Sequence, residues 1–250
     1  RYLTNYLEKV NKGASGLLLE VSEDEFSKLT DEIYKTVTSL YQSREAALHA
    51  KANFANNLSN IAHQLKTPIT AISLSAQMMK ENPSPEFLTQ IQKQLKRLTH
   101  FEKALLLLSR IDTGTLSLKQ EQIDVFTLLM LAADNLQELF ADAGVLIDIL
   151  EMGEVSIKAD LDWTMEAVMN LMKNAMEHSP KGAKVCCSYE KNPLYVQIRI
   201  WDEGQGFAKE DLAHIFERFY QGKNRKGGGI GLGLSLAKEI IEMQNGIISA

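Results

Sequence analysis

The chain has 250 residues, of which 45% are hydrophobic and 24% are charged, and its formal net charge is −5. This composition supports one to three globular domains, and the negative balance with dispersed basic residues argues against a nucleic-acid-binding protein. The two cysteines, Cys186 and Cys187, are adjacent, which fits neither a disulfide framework nor a metal-site spacing and predicts free thiols in a reducing compartment.

The first third of the chain is predicted to be largely helical. SEDE at residues 22–25 has the capping-box form, in which a serine caps the helix and a glutamate follows three positions later. Apolar residues then recur at steps of three and four from Phe26 to Leu40 and again from Phe54 to Ile72. This pattern indicates one helix, or two in tandem, that ends at about Lys80.

A second helix is predicted after a short break. ENPSP at 81–85 interrupts the pattern, and Ser84 before Pro85 is a helix-start signal, a capping hydroxyl followed by proline at the first helical position. The next apolar stripe runs from Leu88 to Leu108 and ends near Gly114. Two long helices joined by so short a loop lie antiparallel. Because a lone hairpin cannot cover its own apolar seam, we expect dimerisation into a four-helix bundle.

From Thr115 onward the pattern changes to shorter, mixed elements. Helical patterns occur at about residues 124–143, 161–178 and 234–244. Strand-like runs are LIDIL (146–150), VSIKA (155–159), KVCCSY (184–189) and YVQIRIW (195–201). Mixed strands and helices of this kind predict a separate α/β sandwich domain after the hairpin.

His63 is the first residue of the chain that invites a chemical interpretation. It lies about 140° around the predicted helix from Leu58, opposite the apolar stripe, so we expect an exposed imidazole. Pro68 removes one backbone N–H and crowds the carbonyl of Gln64, which predicts a local bend beside His63. Two interpretations remain open here: a harmless kink next to an exposed histidine, and a reactive histidine on a helix that has to move.

Two elements of the C-terminal domain carry polar groups suited to a nucleotide. Glu166, Asn170 and Asn174 are spaced four apart and stack on one helical face, where their oxygens suit a hydrated magnesium ion or form an ordinary solvated surface. Asp202 ends a predicted strand in IWDEGQG (200–206), and its carboxylate is able to accept a hydrogen bond from an exocyclic amine. The two glycines of that segment allow a tight backbone turn.

A third element is the glycine-rich stretch GGGIGLGLSLAKEII at 227–241, which opens an amphipathic helix. The free N–H groups and the positive dipole end of such a helix suit phosphates. KNRK at 223–226 places Lys223, Arg225 and Lys226 next to these glycines, either as a phosphate clamp or as a solvated loop. The chain has no GxxxxGK[ST] P-loop, and the glycines follow no strand, as a dinucleotide fingerprint requires.

These motifs together resemble those of a known family. H-Q-L-K-T-P at 63–68 resembles the phosphoacceptor box of dimeric sensor histidine kinases. The asparagine helix, the D-x-G-x-G segment and the glycine-rich stretch resemble the N, G1 and G2 boxes of the GHKL-type ATP-binding domain, which histidine kinases share with gyrase-type topoisomerases, MutL-type repair proteins and one chaperone family. HIFERFYQG at 214–222 resembles the F box of the kinases. The boxes cover residues 46–246 in the order of a two-component sensor histidine kinase, a HisKA-type dimerisation domain followed by the ATP-binding domain.

The resemblance implies roles for individual residues. His63 would accept the γ-phosphoryl group of ATP, and Thr67 would help water to attack the phosphorylated partner. Gln64 stands where many relatives carry an acid, so autophosphorylation is expected to be slower or to use another base. The implied Mg²⁺ site consists of Asn174, with support from Glu166 and Asn170. The implied ATP-binding residues are Asn170, Lys173, Asn174, His178, Asp202, Gly204, Gly206, Lys223, Gly229, Gly231, Leu232 and Gly233.

The same resemblance implies an activity and partners. The chain would be a homodimeric, ATP- and Mg²⁺-dependent protein-histidine kinase that passes the phosphoryl group to an aspartate of a response regulator receiver domain and also acts as its phosphatase, with no nucleic-acid partner. Two alternatives remain. A clamp ATPase of the same superfamily would need no His63, and a catalytically silent dimeric scaffold would need neither ATP nor the histidine.

We expect three regions along the chain. Residues 1–45 form a linker that resembles the later part of a HAMP module or is a coiled-coil helix, residues 46–113 form the hairpin, and residues 114–250 form the ATP-binding domain. The family usually continues beyond the final GIISA, so this domain is expected to be truncated. No apolar run approaches the ~20 residues of a membrane span and no signal peptide is visible. Because residue 1 is arginine, we expect the cytoplasmic portion of a bacterial membrane sensor that is anchored by an N-terminal segment absent from this sequence.

Overall fold

The computed structural model of the chain describes residues 27–222 and 229–250. Its contacts divide the chain into two compact units, Arg1–Ala62 and His63–Ala250. Helix α1 (Ser27–Glu81) begins in the first unit and ends in the second. The SEDE capping box and the first part of the expected linker lie outside the described residues. In the described part of the chain, no helix combines the length and apolarity that crossing a membrane requires.

The first unit is represented by the N-terminal part of α1. On its surface the ammonium of Lys35 pairs with the carboxylate of Glu32 at 3.5 Å, one helical turn apart. The large apolar side chains Phe54 and Leu58 are 68% and 57% exposed in the single chain. The predicted apolar stripe is therefore present along this part of α1, and within the chain it remains largely uncovered.

The second unit begins with a helical hairpin. The C-terminal part of α1 ends at Glu81, and helix α2 follows at Pro85–Asp112. Ser84 caps α2, since its side-chain oxygen accepts a hydrogen bond from the N–H of Glu86 at 3.3 Å. The hydroxyl of Ser75 on α1 donates to the amide oxygen of Gln90 on α2 at 3.2 Å, so the helices lie side by side and run antiparallel. This confirms the predicted hairpin.

The rest of the second unit is an α/β domain with two small sheets. Strand β1 (Glu121–Asp124) pairs antiparallel with β3 (Ser156–Ala159). The larger sheet has the order β2-β4-β5, with β2 (Leu146–Ile149) parallel to β4 (Lys184–Lys191) and β4 antiparallel to β5 (Val196–Asp202). The described part of the domain also contains three helices, α3 (Val125–Ala143), α4 (Leu161–His178) and α5 (Gly233–Glu242).

One hydrophobic core joins the sheets to α3 and α4. Along β4, Val185, Cys187 and Tyr189 are buried and alternate with outward-facing residues, so one face of the sheet lies on the helices. Leu128 of α3 and Met172 of α4 are fully buried opposite that face. The predicted α/β architecture and all four predicted strands are confirmed. Strand β1 was not predicted, because its sequence EQID is short and mostly polar.

A buried polar network fixes the start of α4 relative to the end of α5. The carboxylate of Asp160 caps α4 by accepting the N–H of Trp163 at 3.1 Å, and it also accepts the N–H of Lys119 at 2.7 Å. The side-chain oxygen of Gln244 accepts the backbone N–H of Asp160 at 2.7 Å and the hydroxyl of Thr164 at 3.3 Å. The two helices that carry the predicted nucleotide motifs are thus held together at one end.

Candidate functional site

The structure places His63 on α1 with its side chain exposed, as the sequence predicts. The hydroxyl of Thr67 donates to the backbone carbonyl of His63 at 3.3 Å, so both residues lie on the same face of the helix. Among the described residues, no side chain forms a hydrogen bond or an ion pair with the imidazole. Gln64 is half-buried, and Pro68 is fully buried within a helix that continues through it. Whether the helix bends at this proline stays a prediction.

Helix α4 positions the predicted magnesium residues. Asn170 is 8% exposed, and its amide nitrogen donates to the backbone carbonyl of Glu166 at 2.9 Å and to the Glu166 carboxylate at 3.3 Å. A Cβ added to Gly233 would lie 3.1 Å from the amide oxygen of Asn170, so that oxygen is next to the first residue of α5. Asn174 is half-buried, and its side chain makes no hydrogen bond within the described part of the chain.

The end of β5 meets the end of α4 at Gly204. The N–H of Gly204 donates to Oδ1 of Asp202 at 2.7 Å, which fixes the orientation of the carboxylate. A Cβ on Gly204 would lie 2.5 Å from that oxygen and 2.6 Å from the backbone carbonyl of His178, the last residue of α4. Only glycine allows so close an approach. Gly206 has φ +66°, a left-handed conformation in a turn with open space around it.

The glycine-rich segment is held by the chain that precedes it. The N–H of Phe219 donates to the carbonyl of Gly231 at 2.8 Å, and the side chain of Gln221 donates to the carbonyl of Gly229 at 2.7 Å. A Cβ on Gly231 would lie 2.6 Å from the carbonyl oxygen of Tyr220, and this glycine has φ +78°. The predicted F box and G2 box therefore pack backbone to backbone.

The N-terminus of α5 has the features of an anion site. Within the described residues no side chain caps it, and the hydroxyl of Ser235 donates backwards to the carbonyl of Leu232 instead of accepting an N–H of the first turn. Unpaired N–H groups and the helix dipole favour negative charge at this end. The side chain of Leu232 is buried, so this residue can face a ligand only through its backbone.

The structure places two of the weaker phosphate candidates, His178 and Lys173, in different surroundings. His178 lies at the Gly204 contact through its backbone carbonyl, and Gly229 lies beside the Glu177 carboxylate, where an added Cβ would be 3.6 Å from Oε2. Lys173 is close enough to His100 of α2 for its charge to lower the pKa of that imidazole, after the larger effect of burial. Lys223 and the rest of KNRK lie outside the described residues.

Three residues near the site were missed by the sequence reasoning. Asp211 is 7% exposed and accepts the phenol of Tyr220 at 2.7 Å, so it anchors the segment that leads to residue 222. That hydrogen bond, together with the negative charge of Asp211, raises the pKa of Tyr220. Glu177 and Gln221 flank Gly229 from two sides. Gln221 falls within HIFERFYQG, but that motif assigned it no role, and Asp211 and Glu177 belong to no spacing pattern, so the fold reveals these contacts.

Two families match separate parts of the chain. Residues 55–114 match the "His Kinase A (phospho-acceptor) domain", and residues 159–250 match the family described as "Histidine kinase-, DNA gyrase B-, and HSP90-like ATPase". The first match contains His63 and the hairpin. The second contains α4, the end of β5 and the glycine-rich segment, so both matches fall on the elements that carry the candidate residues.

Sequence relatives extend over nearly the whole chain. It is 27% identical to the signal transduction histidine-protein kinase BaeS of Escherichia coli K12, over 92% of this chain and 49% of that protein. It is 28% identical to the sensor protein kinase WalK of Staphylococcus aureus, over 98% of this chain and 63% of that protein. The chain therefore spans 49% and 63% of the lengths of these two curated relatives.

Solved structures share the fold. Acinetobacter baumannii histidine kinase AdeS superposes with a TM-score of 0.59 at 24% identity, covering 72% of this chain and 86% of that one. The histidine kinase ThkA, solved in complex with the response regulator protein TrrA, gives a TM-score of 0.61 at 20% identity over 82% of this chain and 60% of that one. The order of the two family matches, their positions on the hairpin and the α/β domain, and the sequence relatives show that the chain belongs to the sensor histidine kinases of two-component systems.

Proposed function

We propose that the chain is the catalytic portion of an ATP-dependent protein-histidine kinase that phosphorylates itself on His63. The observation that carries the proposal is the coexistence of an exposed imidazole on α1 with an α5 N-terminus that no described side chain caps and that lies next to the amide oxygen of Asn170. In the proposed step a ring nitrogen of His63 attacks the γ-phosphorus of ATP. The bond from that phosphorus to the oxygen bridging the β-phosphate breaks, and ADP leaves.

The proposed site supplies position and charge compensation, which are the main demands of phosphoryl transfer. The N–H groups at the start of α5 face the phosphates, and the carboxylate of Asp202 accepts the adenine amino group. The contact with Gly204 supports this role because it holds the carboxylate in one orientation. Gln64 has no basic group that could take a proton from the imidazole, so the proton released from the ring goes to water or another base.

Magnesium is part of the proposal through the oxygen atoms on α4. Asn174, Glu166 and Asn170 offer amide and carboxylate oxygens, the ligands that Mg²⁺ accepts while it keeps several waters. The described residues contain no group of three or more acidic, histidine or cysteine side chains able to hold a metal alone. The donor set therefore fits an ion that is shared with the nucleotide phosphates, and the ion would neutralise their charge there.

Two partners follow from the hairpin. Leu95 and Leu106 of α2 are 51% and 56% exposed and border an apolar groove with Leu65, which supports homodimerisation into a four-helix bundle. The second partner is the receiver domain of a response regulator, whose aspartate would take the phosphoryl group from His63. The complex of ThkA with TrrA supports this choice. Thr67 would support dephosphorylation of the same partner.

We further propose residues 46–113 as the dimerisation and phosphoacceptor domain and residues 114–250 as the ATP-binding domain. Residues 1–45 would connect them to a preceding region. BaeS is a signal transduction kinase and WalK a sensor kinase, and the matched part is 49% and 63% of their lengths. By analogy, the present chain is proposed to be the cytoplasmic portion of a membrane sensor.

The direct test is incubation with γ-labelled ATP and Mg²⁺. We expect acid-labile, base-stable label on the protein that is absent in His63→Gln and retained in His49→Gln, a control for another exposed histidine of α1. ATP hydrolysis without retained label would contradict the proposal and identify a clamp ATPase. A protein that is neither labelled nor able to hydrolyse ATP would be a silent scaffold.

A further inference from the structure

Phe219 has a backbone conformation that aromatic residues rarely adopt. Its φ is +66°, in the left-handed region, where the Cβ atom of an L-residue crowds a neighbouring carbonyl oxygen. Among the residues that the structure describes, one other non-glycine residue, Asn245, has a positive φ, and asparagine tolerates this region well. A bulky residue persists there only where its surroundings hold it. The contacts of Phe219 and its neighbours therefore have to offset the conformational cost.

On one side, the peptide that joins Phe219 to Tyr220 lies against Gly231. The N–H of Phe219 donates to the carbonyl of Gly231 at 2.8 Å. A Cβ added to Gly231 would lie 2.7 Å from the carbonyl carbon of Phe219 and 2.6 Å from the carbonyl oxygen of Tyr220. The left-handed turn at Phe219 thus lays backbone on backbone, two residues before α5 begins at Gly233.

On the other side, Tyr220 is tied to Asp211. Its hydroxyl donates to Oδ1 of Asp211 at 2.7 Å, and Asp211 is buried. The other oxygen of this carboxylate faces Gly222, where an added Cβ would lie 2.7 Å from Oδ2. The backbone carbonyl of Asp211 accepts the N–H groups of His214 and Ile215 at 2.8 and 3.0 Å, so the carboxylate stands on a hydrogen-bonded turn. A hydrogen bond to a charged group is among the stronger ones in proteins, so this bond stabilises the residue that follows Phe219.

The segment of residues 229–233 has few anchors of its own. Three of its five residues are glycines, which lose more conformational freedom on folding than any other residue. Its backbone is held instead by the N–H of Phe219 and by the side chain of Gln221, which donates to the carbonyl of Gly229 at 2.7 Å. Phosphates are proposed to bind where this segment enters α5, and binding requires that its N–H groups keep one orientation.

We propose that Tyr220 is a positioning residue for the triphosphate of ATP, whose hydrogen bond to Asp211 holds Phe219 in the left-handed conformation and thereby fixes the 229–233 segment. The inference rests on the proposed function, which places the phosphates at the start of α5, and it adds the contact that keeps this place in shape. Without the bond, Phe219 relaxes to a negative φ, which costs an L-residue less. Its peptide then leaves Gly231, and the phosphates lose aligned N–H groups.

The sharpest perturbation is Tyr220→Phe, because it removes one hydroxyl and keeps the ring. Tyr189→Phe is the matched control. The hydroxyl of Tyr189 on β4 donates to the carbonyl of Gly153 at 2.9 Å and accepts the N–H of Met152 at 3.1 Å, so its removal also leaves hydrogen bonds unmade. A thermal melt of each variant measures stability, and we expect Tyr189→Phe to lower the melting temperature at least as much as Tyr220→Phe.

The first measurement compares two ligands that share the base and differ in the phosphates. Displacement of a fluorescent ATP analogue, in the presence of Mg²⁺, gives the dissociation constants of ATP and of adenosine. We expect Tyr220→Phe to raise that of ATP about tenfold, the equivalent of one hydrogen bond to a charged group, and to leave that of adenosine within about twofold of the parent. Tyr189→Phe should stay within about twofold for both ligands.

The second measurement tests the link through Phe219. Phe219→Gly and Phe219→Ala both remove the ring, but only alanine keeps the cost of a left-handed L-residue. In the alanine background, the added change Tyr220→Phe should again raise the dissociation constant of ATP about tenfold. In the glycine background it should raise that constant about threefold or less, because glycine adopts this conformation without support.

A dissociation constant of ATP within about twofold of the parent in Tyr220→Phe would overturn the inference. Equal losses for ATP and adenosine would overturn it as well, because they would indicate a general loosening of the domain. So would equal losses in the glycine and alanine backgrounds, since Phe219 would then not carry the effect. A parent protein that binds ATP but leaves His63 unlabelled contradicts the kinase function and leaves this inference standing, whereas a parent that binds no ATP contradicts both.

Discussion

Replacing Gly204 with alanine should weaken ATP binding through a steric effect that the structure specifies. The added Cβ would lie 2.5 Å from Oδ1 of Asp202 and 2.6 Å from the carbonyl oxygen of His178. The Asp202 side chain can rotate away, but doing so breaks its hydrogen bond with the N–H of residue 204. The carbonyl of His178 is backbone, so the end of α4 and the end of β5 have to move apart.

The size of the effect follows from the cost of overpacking, which is about 1–3 kcal/mol. If this cost falls on the position of the Asp202 carboxylate, the dissociation constant for ATP rises by about fivefold to about 150-fold. A titration with a fluorescent ATP analogue in the presence of Mg²⁺ measures it, and a thermal melt of the same sample confirms that the domain is folded.

The matched control is Gly182→Ala. Gly182 has φ +83°, and a Cβ added to it would meet no atom within 4 Å, so alanine there adds backbone strain of about 1–2 kcal/mol without crowding a neighbour. We expect a lower melting temperature and an unchanged dissociation constant. A folded Gly204→Ala protein that binds ATP within about twofold of the parent would refute the role assigned to the Asp202–Gly204 contact.

Three other predictions concern stability, thiol chemistry and pH. Met172→Ala, at a fully buried position of the core, should lower the free energy of unfolding, measured by urea denaturation, by about 2–5 kcal/mol. The control Met130→Ala, at a position that is 40% exposed, should change that free energy by less than about 0.5 kcal/mol. Burial raises the pKa of Cys187 to about 12 and also raises that of Cys186, so a thiol reagent at pH 8 should label Cys186 slowly and Cys187 only after denaturation; rapid labelling of both in the native protein would contradict this. The terminal nitrogens of Arg218 donate to the carboxylate of Asp112, the last residue of α2, and lower its pKa below 3.8, so this pair contributes stability above that pH and is lost as the pH falls through the lowered value; a carbon-13 NMR titration of Asp112 should give a midpoint below 3.8, and a midpoint at or above 3.8 would contradict this.

Periodicity and capping signals were sufficient for most of the fold. Ser84 and Pro85 predicted the start of α2 at the residue where the structure has it, and the apolar stripes predicted the antiparallel hairpin. Strand β1 was missed because its residues carry no strand signal of their own. It exists through pairing with β3, where Ile123 lies opposite Ile157 across a long stretch of chain.

The candidate site was predictable to the extent that its residues follow motifs. His63, the asparagine helix, Asp202 and the glycine-rich segment each have a local spacing that points to their chemistry. Asp211 lies outside these motifs, and the ion pair of Arg218 with Asp112 does not follow from them, since it joins residues that are 106 positions apart. Such contacts depend on how the hairpin and the α/β domain pack, and no local sequence pattern predicts this packing.

The central claim is that the imidazole of His63 receives the γ-phosphoryl group of ATP. Peptide mass spectrometry under alkaline conditions, after brief incubation with ATP and Mg²⁺, tests it most directly because phosphohistidine survives there. We predict one phosphoryl group on the peptide that contains residue 63, located on the histidine itself. Stable phosphate on a serine, threonine or tyrosine, with His63 unmodified, would contradict it.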